Sequence, residues 1–544
     1  MKKFFTLLLV LTSVFLVSCD LLGPQSGLVS FDSNGGSSVP SQNAVGYVDE
    51  PITPTYTGHT LVGWYSDVNL TKAWNFKEDK IKGDMILYAK WAINEYTITY
   101  NSNEATGGTV PTSQVKKYDE EITISSSGNL ERTGYVFASW NTKADGTGDS
   151  YLESSKYTKN EATTLYAIWK LPITKLTQDS YSSNNFFGTS VGLSGSNLIV
   201  GTDSGSEGSF DYVNFYSKTT NDWESEGKIY NSDNAGGNDI MFGKSVSIDG
   251  NTAIVGAPAY DSSLYDAGAA FIYTLVDGKW TMKQKFAPTD LSSSAYFGCS
   301  VYISGDTAVI GAFRDDATGS NSGSAYVYIN NNGTWELKQK LKLNDGDSGY
   351  MFGYSVCIYD NDIVVGAPCY NSNVGCAYIF SLEDNVWVNK SQIIANDAAT
   401  GNNFGQAVSI YNNTIFIGAP NSNSNKGSVY TYNKTANGSW NYASKIVTND
   451  GVDNDKFGAS ICIFGDKAII GNPNSDGRNG SAYVFKYDGS SWNQLKKLVP
   501  TTSESYQDNY GIAVSISDKY YVVGAPNDNE KSTNSGCAYV YNVD

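Results

Sequence analysis

From about residue 171 the chain repeats itself every 52–55 residues, and this periodicity constrains the fold more than any other feature. A period of that length marks one supersecondary unit per repeat, stacked linearly or closed into a ring. An aromatic-glycine pair opens each copy: Phe187-Gly188, Phe242-Gly243, Phe297-Gly298, Phe352-Gly353, Phe404-Gly405, Phe457-Gly458 and Tyr510-Gly511. An apolar strand, a tight turn and a second apolar strand follow, ending in a corner such as Gly256-Ala257-Pro258 or Gly366-Ala367-Pro368. After a variable polar loop comes a third strand, as at Gly323-Ser324-Ala325-Tyr326-Val327-Tyr328, and then a fourth marked by Trp223, Trp280, Trp335, Trp387, Trp440 or Trp492. The seventh copy stops after its third strand, Tyr539-Val540-Tyr541, while Ile173-Thr174-Lys175-Leu176 ahead of the first copy aligns with the fourth-strand residues Lys283-Gln284-Lys285-Phe286. A ring whose last blade is completed by a strand from each terminus leaves no open sheet edge. The expected fold over 171–544 is therefore an all-β, seven-bladed propeller.

The repeat resembles the FG-GAP family, which includes the integrin α-subunit propeller. Calcium-binding integrin blades carry an aspartate-rich D-x-[DN]-x-D-G-x-x-D loop between the first two strands. Here that link is a short turn, at Asp249-Gly250, Gly305-Asp306, Asn361-Asp362, Asn412-Asn413, Gly465-Asp466 and Asp518-Lys519. Such residues suit a hairpin turn with positive φ, and too few oxygens remain for the six to eight ligands of calcium. Calcium is not carried over from the resemblance, and no cofactor is expected.

Residues 28–91 and 96–169 form a second, independent pair of repeats. Val29-Ser30-Phe31-Asp32-Ser33-Asn34-Gly35-Gly36, Gly58-His59-Thr60-Leu61-Val62-Gly63-Trp64-Tyr65 and Leu87-Tyr88-Ala89-Lys90-Trp91 are answered by Ile98-Thr99-Tyr100-Asn101-Ser102-Asn103, Gly134-Tyr135-Val136-Phe137-Ala138-Ser139-Trp140-Asn141 and Leu165-Tyr166-Ala167-Ile168-Trp169. Alternating apolar and polar residues bounded by Gly-rich turns read as half-buried strands. The three signatures resemble the internalin-type B repeat, also called the Listeria–Bacteroides repeat. That resemblance implies a small β-grasp-like module, used in bacterial surface proteins as a stalk or adhesive spacer. Repeat two departs from it in the expanded turn 103–108 and at Ser139, where the signature has glycine.

The N-terminus reads as a lipoprotein signal. Met1-Lys2-Lys3 precedes a mostly apolar run, Phe4 to Val17, too short to span a bilayer comfortably. The run ends Leu16-Val17-Ser18-Cys19, resembling the bacterial lipobox, so residues 1–18 are expected to be removed and Cys19 to carry the lipid. Residues 19–27 read as a linker. The lipid would then be the membrane anchor.

Composition excludes several functions. The single histidine, His59, rules out most hydrolase triads and His-rich zinc sites. It falls where repeat two has Tyr135, which marks a packing residue. With 37 Lys and Arg against 55 Asp and Glu, a net charge of -18, no basic surface is available for nucleic acid. Acids lie just ahead of the aromatic-glycine pairs, at Asp179, Asp233, Asp290, Asp345, Asp397, Asp450 and Glu504. They form either a ring of ligands on one face, strongest around Asp450, Asp453 and Asp455, or a loop device that each blade needs for itself, and their presence in every blade favours the second. The loops after the corners, Asp261 to Asp266, Arg314-Asp315-Asp316, Asp476-Gly477-Arg478 and Asn527 to Ser535, differ more, as binding loops on a rigid scaffold do. Cys357 and Cys462 share one strand position and Cys376 and Cys537 another, as small buried residues would, whereas Cys369 and Cys376 flank one loop and could pair in an oxidising envelope, though the buried-residue reading is favoured.

Anchor, spacer and large polar head together suggest a non-enzymatic envelope lipoprotein at the outer membrane or cell surface, binding a protein or glycan through propeller loops. A carbohydrate-active propeller enzyme is the alternative, but it needs clustered carboxylates or a tyrosine-arginine site, and no blade breaks its repeat to build one. A periplasmic scaffold lipoprotein is a third reading.

Overall fold

Strands in this chain follow the reach of burial. In the second and third strands of each 52–55-residue repeat, consecutive residues are apolar because both faces are covered; Ala253, Ile254 and Val255 are all fully buried. Fourth strands keep polar residues outward, as in Thr334–Leu341, where Glu336 and Lys338 are exposed. A computed structural model describes residues 23–133, 135–170, 172–178, 183–204, 211–219, 222–231, 240–262, 264–343, 348–500 and 507–543. It divides into two compact units, 1–170 and 171–544.

Within the first unit, the two repeats have the same strand order. In the first, Gln42–Val45, Ser26–Asp32, Met85–Ile93 and His59–Tyr65 lie side by side, with Ser26–Asp32 and Met85–Ile93 parallel. In the second, Gln114–Lys117, Glu95–Asn101, Thr163–Lys170, Val136–Asn141 and Ser150–Tyr151 repeat that order, again with a parallel central pair. The signature residues are the cores: Val29, Trp64, Leu87 and Ala89 in one, Ile98, Trp140, Leu165 and Ala167 in the other. Asn34 and Asn103, both at positive φ, each donate from Nδ2 to a strand carbonyl, Ala89 and Ala167 respectively. The expanded turn of repeat two thus keeps its key asparagine. His59 stacks on Tyr56, ring centroids 4.1 Å apart, and Tyr56 packs edge-on against Trp91.

In the second unit the described residues form seven four-stranded sheets, numbered here by the chain order of their first strands. Sheet 3 is typical: Phe297–Ser304, Thr307–Ala312, Ser324–Asn331 and Thr334–Leu341, antiparallel throughout. Sheet 7 combines Ala513–Ile516, Tyr520–Ala525 and Cys537–Asn542 with Ile173–Thr177 from the other end of the unit, Ile173 opposite Tyr541 and Thr177 opposite Cys537. The array is all-β and compatible with a propeller.

A seam of paired glycines explains the repeat signature. A Cβ on Gly366, in the corner of sheet 4, would lie 2.0 Å from the carbonyl oxygen of Gly405, which follows Phe404 at the start of the next repeat. The same contact recurs at each step and from sheet 7 back to sheet 1, where a Cβ on Gly524 would lie 1.9 Å from the Gly188 oxygen. Backbone meets backbone, so only glycine fits. Serines tie the seam, with Ser190, Ser245, Ser300, Ser355 and Ser460 donating to the glycine carbonyls of the following repeat.

The two-residue turns between first and second strands differ in two places from the sequence expectation. In sheet 2 Asp249 pairs with Thr252, so the turn is Gly250-Asn251 rather than Asp249-Gly250. In sheet 4 Tyr359 pairs with Asp362, so the turn is Asp360-Asn361, with Asp360 at φ 52°, and Asp362 begins the second strand. Asp362 is buried and accepts from Ser381 and from Lys434 of sheet 5, which fixes it in the strand.

Candidate functional site

Cys19 lies outside the described residues, as do Asp179, Asp233, Asp345 and Glu504. The other three acids ahead of the aromatic-glycine pairs share one environment. Asp290 accepts from Tyr326 Oη at 3.2 Å and Lys340 Nζ at 3.0 Å, Asp397 from Tyr430 at 2.7 Å and Lys445 at 2.6 Å, and Asp450 from Tyr483 at 2.8 Å and Lys497 at 2.5 Å. Each tyrosine comes from the third strand and each lysine from the fourth strand of the acid's own sheet, and the ammonium also lies over the tyrosine ring. Burial pushes these carboxyls up, but the lysine and tyrosine hydrogen bonds outweigh it and hold all three below the usual range. Their charge is spent within the sheet. Asp453 instead approaches Lys426 at 3.7 Å, and buried Asp455 accepts from the Val452 N–H at 2.9 Å, so the 450–455 acids diverge to separate partners.

The strand exchange in sheet 7 creates a buried polar cluster. Lys175 of the N-terminal strand pairs with Asp528 at 2.8 Å and with Glu530 at 2.5 Å. Asp528 and Asp508 are each only 2% exposed, and Asp508 Oδ1 has no hydrogen-bond partner among the described residues. Burial, reinforced by the charge of Asp528 and opposed by Lys175, pushes the Asp508 carboxyl up to about 6. An acid raised in the folded state favours folding while both states are protonated; that advantage fades as pH rises from ~4, where the unfolded chain ionises, through the folded value. Asp508→Asn is therefore expected to stabilise the unit by about 1–3 kcal/mol at pH 7 and not at pH 3.5, read from denaturant midpoints at the two pH values.

The corner loops are less diverse than their sequences suggest. Residues 371–373, 423–425 and 476–478 each make one left-handed turn with three successive positive φ angles, a conformation open chiefly to Asn, Asp and Gly. In sheet 3 the corner differs: Arg314 lies over the rings of Tyr296 and Phe313, while buried Asp315 accepts from Ser324 and pairs with Lys340. Asp266 bonds within its own loop through the Asp261 side chain, and Asn527 bonds Asn509. No disulfide joins Cys369 to Cys376, correcting the pairing allowed by the sequence. Cys376 is buried at the start of a third strand, whereas Cys369 turns to Met351, its sulfur 3.4 Å away. Cys357 is buried too, and burial pushes its thiol up to about 12, far from thiolate reactivity.

The feature missed by sequence reasoning is a cavity of 470 Å³ enclosed by the first strands of all seven sheets. Tyr302 projects among its walls at a position held in the other sheets by Gly192, Ser247, Cys357, Ser409, Cys462 and Ser515. Cys357 and burial raise its hydroxyl well above the usual tyrosine range, so it stays neutral. Near the first turns the lining splits into an aromatic arc, Tyr359, Tyr411 and Phe464, and a polar remainder. The available signal was a single residue per repeat that abandons the common pattern.

The chain belongs to the FG-GAP repeat family, whose model matches residues 223–273, 280–328, 335–380, 387–432, 440–485 and 492–541, more than half of the sequence. Each match runs from a fourth strand through the third strand of the next sheet, or of sheet 7 for the last match. The Listeria-Bacteroides repeat domain matches at 28–90 and 96–168. Among individual proteins, the chain is similar to a putative membrane protein of Evansella cellulosilytica, 40% identical over 153 residues, 28% of this chain and 23% of that protein. Internalin H of Listeria monocytogenes is 30% identical over 122 residues, 22% of this chain and 20% of its own length. Integrin alpha-2 of Mus musculus is 28% identical over 205 residues, 32% of this chain and 17% of its own. The chain thus spans about a quarter or less of the length of these relatives. Among the described residues no helix is long and apolar enough to cross a membrane.

Proposed function

We propose that this is a bacterial envelope lipoprotein, anchored through Cys19, whose two Listeria-Bacteroides repeats act as a spacer. Its seven sheets form a closed seven-bladed propeller that binds a protein or glycan at the envelope surface rather than catalysing a reaction. The observation that carries the reading is the order of parts: a lipobox-like segment, two Listeria-Bacteroides repeats, and an FG-GAP array with variable corner loops, in a chain similar over part of its length to internalin H. Closure is supported by the pairing of Ile173–Thr177 with Cys537–Asn542 and by the Gly524–Gly188 contact. Carboxylates spent on neighbouring tyrosines and lysines favour a structural head over a catalytic one.

Protease treatment of intact cells tests the reading. The expected result is loss of the propeller signal while a periplasmic control protein survives. A propeller degraded only after the envelope is opened would overturn surface display and direct the search to periplasmic partners. Turnover of a glycan by the purified protein would overturn the binding role.

A further inference from the structure

The cavity inside the seven first strands departs from the symmetry of everything around it. The last residue of each first strand, taken sheet by sheet, is Ser194, Asp249, Ser304, Tyr359, Tyr411, Phe464 and, in sheet 7, the adjoining Ser517, all lining the cavity. A position needed only for the fold would carry one residue type, as the seam glycines do. Here the residues are partitioned: three aromatics on consecutive sheets, then four polar residues on the rest.

The two arcs are chemically complementary. Tyr359 and Tyr411 have ring centroids 4.7 Å apart, Tyr411 and Phe464 5.1 Å, so the rings form a continuous strip, and Phe464 remains 37% exposed. Aromatic faces are negative and attract the weakly positive C–H bonds of a flat apolar surface. In the polar arc Ser194 accepts the Gly250 N–H and Ser517 the N–H groups of Lys519 and Tyr520, which leaves both hydroxyl hydrogens to donate. Asp249 uses one oxygen for the Gly305 N–H at 2.7 Å, keeping the other as an acceptor, and exposed Asp518 adds a second carboxylate. Tyr302 lies against Cys357 and Cys462 deeper in the walls, where the other sheets have small residues.

We propose that this cavity binds a single neutral sugar ring, its C–H face on Tyr359, Tyr411 and Phe464 and its hydroxyls on Ser194, Ser517, Asp249 and Asp518. A pyranose presents both surfaces at once: an apolar face for the strip and hydroxyls that donate to carboxylates and accept from serines. The volume falls in the range of roughly 300–1,000 Å³ usual for small-ligand sites. Two carboxylates with no lysine or arginine in the lining turn away acidic sugars. The site is formed at the first-turn ends of the strands, remote from the corner loops, so it deepens the glycan arm of the proposed function without using the loops.

Isothermal titration of the full chain with D-glucose, D-galactose, D-mannose and N-acetyl-D-glucosamine tests it. At least one sugar is expected to saturate the protein at one site, with affinity falling roughly tenfold in Tyr411→Ala and several-fold in Asp518→Asn. Asp518 is exposed in a turn, so its variant folds as the parent does even where Tyr411→Ala does not. No saturation by any of the four, or binding unchanged in Asp518→Asn, would overturn the proposal. Saturation by tetramethylammonium but by none of the sugars would overturn it in favour of a cation site. Failure here leaves loop-mediated capture on intact cells intact, so the two readings fail separately.

Discussion

Valine in place of Gly366 is expected to prevent the 171–544 unit from folding, seen as loss of the cooperative thermal transition in circular dichroism. Even the first carbon of the new side chain would lie 2.0 Å from the Gly405 carbonyl oxygen, and the atoms it meets are backbone on one side and Ser355 Oγ, at 2.3 Å, on the other. The backbone oxygen cannot turn away. Ser355 Oγ is itself bonded to the Gly405 oxygen, so relief of the clash means separating sheets 4 and 5. That separation opens the core between them, where Ile393, Phe404, Ile415 and Tyr430 are buried together with Cys357 and Val364. Overpacking of a rigid site costs about 1–3 kcal/mol or more, and parting two sheets adds the exposure of that core, against a total stability of about 5–15 kcal/mol. Gly305→Ala is the control. Its φ is also positive, at 53°, but nothing lies within 4 Å of the added carbon, so a loss of only about 1 kcal/mol is expected. Equal melting temperatures for Gly366→Val and the parent would contradict the seam.

The same seam explains why so much of the fold was legible. A contact that admits only glycine, repeated at each sheet, imprints the aromatic-glycine pair and the glycine corner on every copy, and the spacing between them follows from strand length. The strand exchanged between the ends of the unit was legible for a related reason, since Lys175 and Leu176 stand in phase with Lys285 and Phe286. Turn placement was less certain because Asp360-Asn361-Asp362 offers two equally good turn pairs, and the choice is made by Lys434 and Ser381 bonding Asp362. The acids were ambiguous for a different cause. Asp450 precedes its tyrosine and its lysine by one sheet's worth of chain, so the sequence shows an unpaired carboxylate where the fold supplies Tyr483 and Lys497. The cavity was hidden most thoroughly, because its lining takes a few residues from each repeat and becomes an aromatic strip only when sheets 4, 5 and 6 stand side by side.

Deleting residues 173–177 is expected to have the second large effect: loss of the cooperative transition and aggregation on gel filtration. Without this strand, Cys537–Asn542 becomes the open edge of sheet 7, a row of unpaired N–H and C=O groups of the kind that recruits other chains. Leu176, 6% exposed in the core between sheets 7 and 1, would be lost with about 1.5–3 kcal/mol of burial. Asp528 would lose Lys175 while remaining buried beside Asp508, and an uncompensated buried charge costs about 3–5 kcal/mol. Together these losses approach the whole stability expected of a domain. Two rescues separate the contributions. A synthetic peptide of residues 172–178 added in trans supplies both the edge and the ammonium and is expected to restore the transition in a concentration-dependent way. The same peptide with Lys175→Met fills the edge without the charge and is expected to rescue less well at pH 7 than at pH 4.5, where more of the Asp508 carboxyl charge is neutralised. A truncated chain that melts as the parent does would show that the exchanged strand is not part of the cooperative unit.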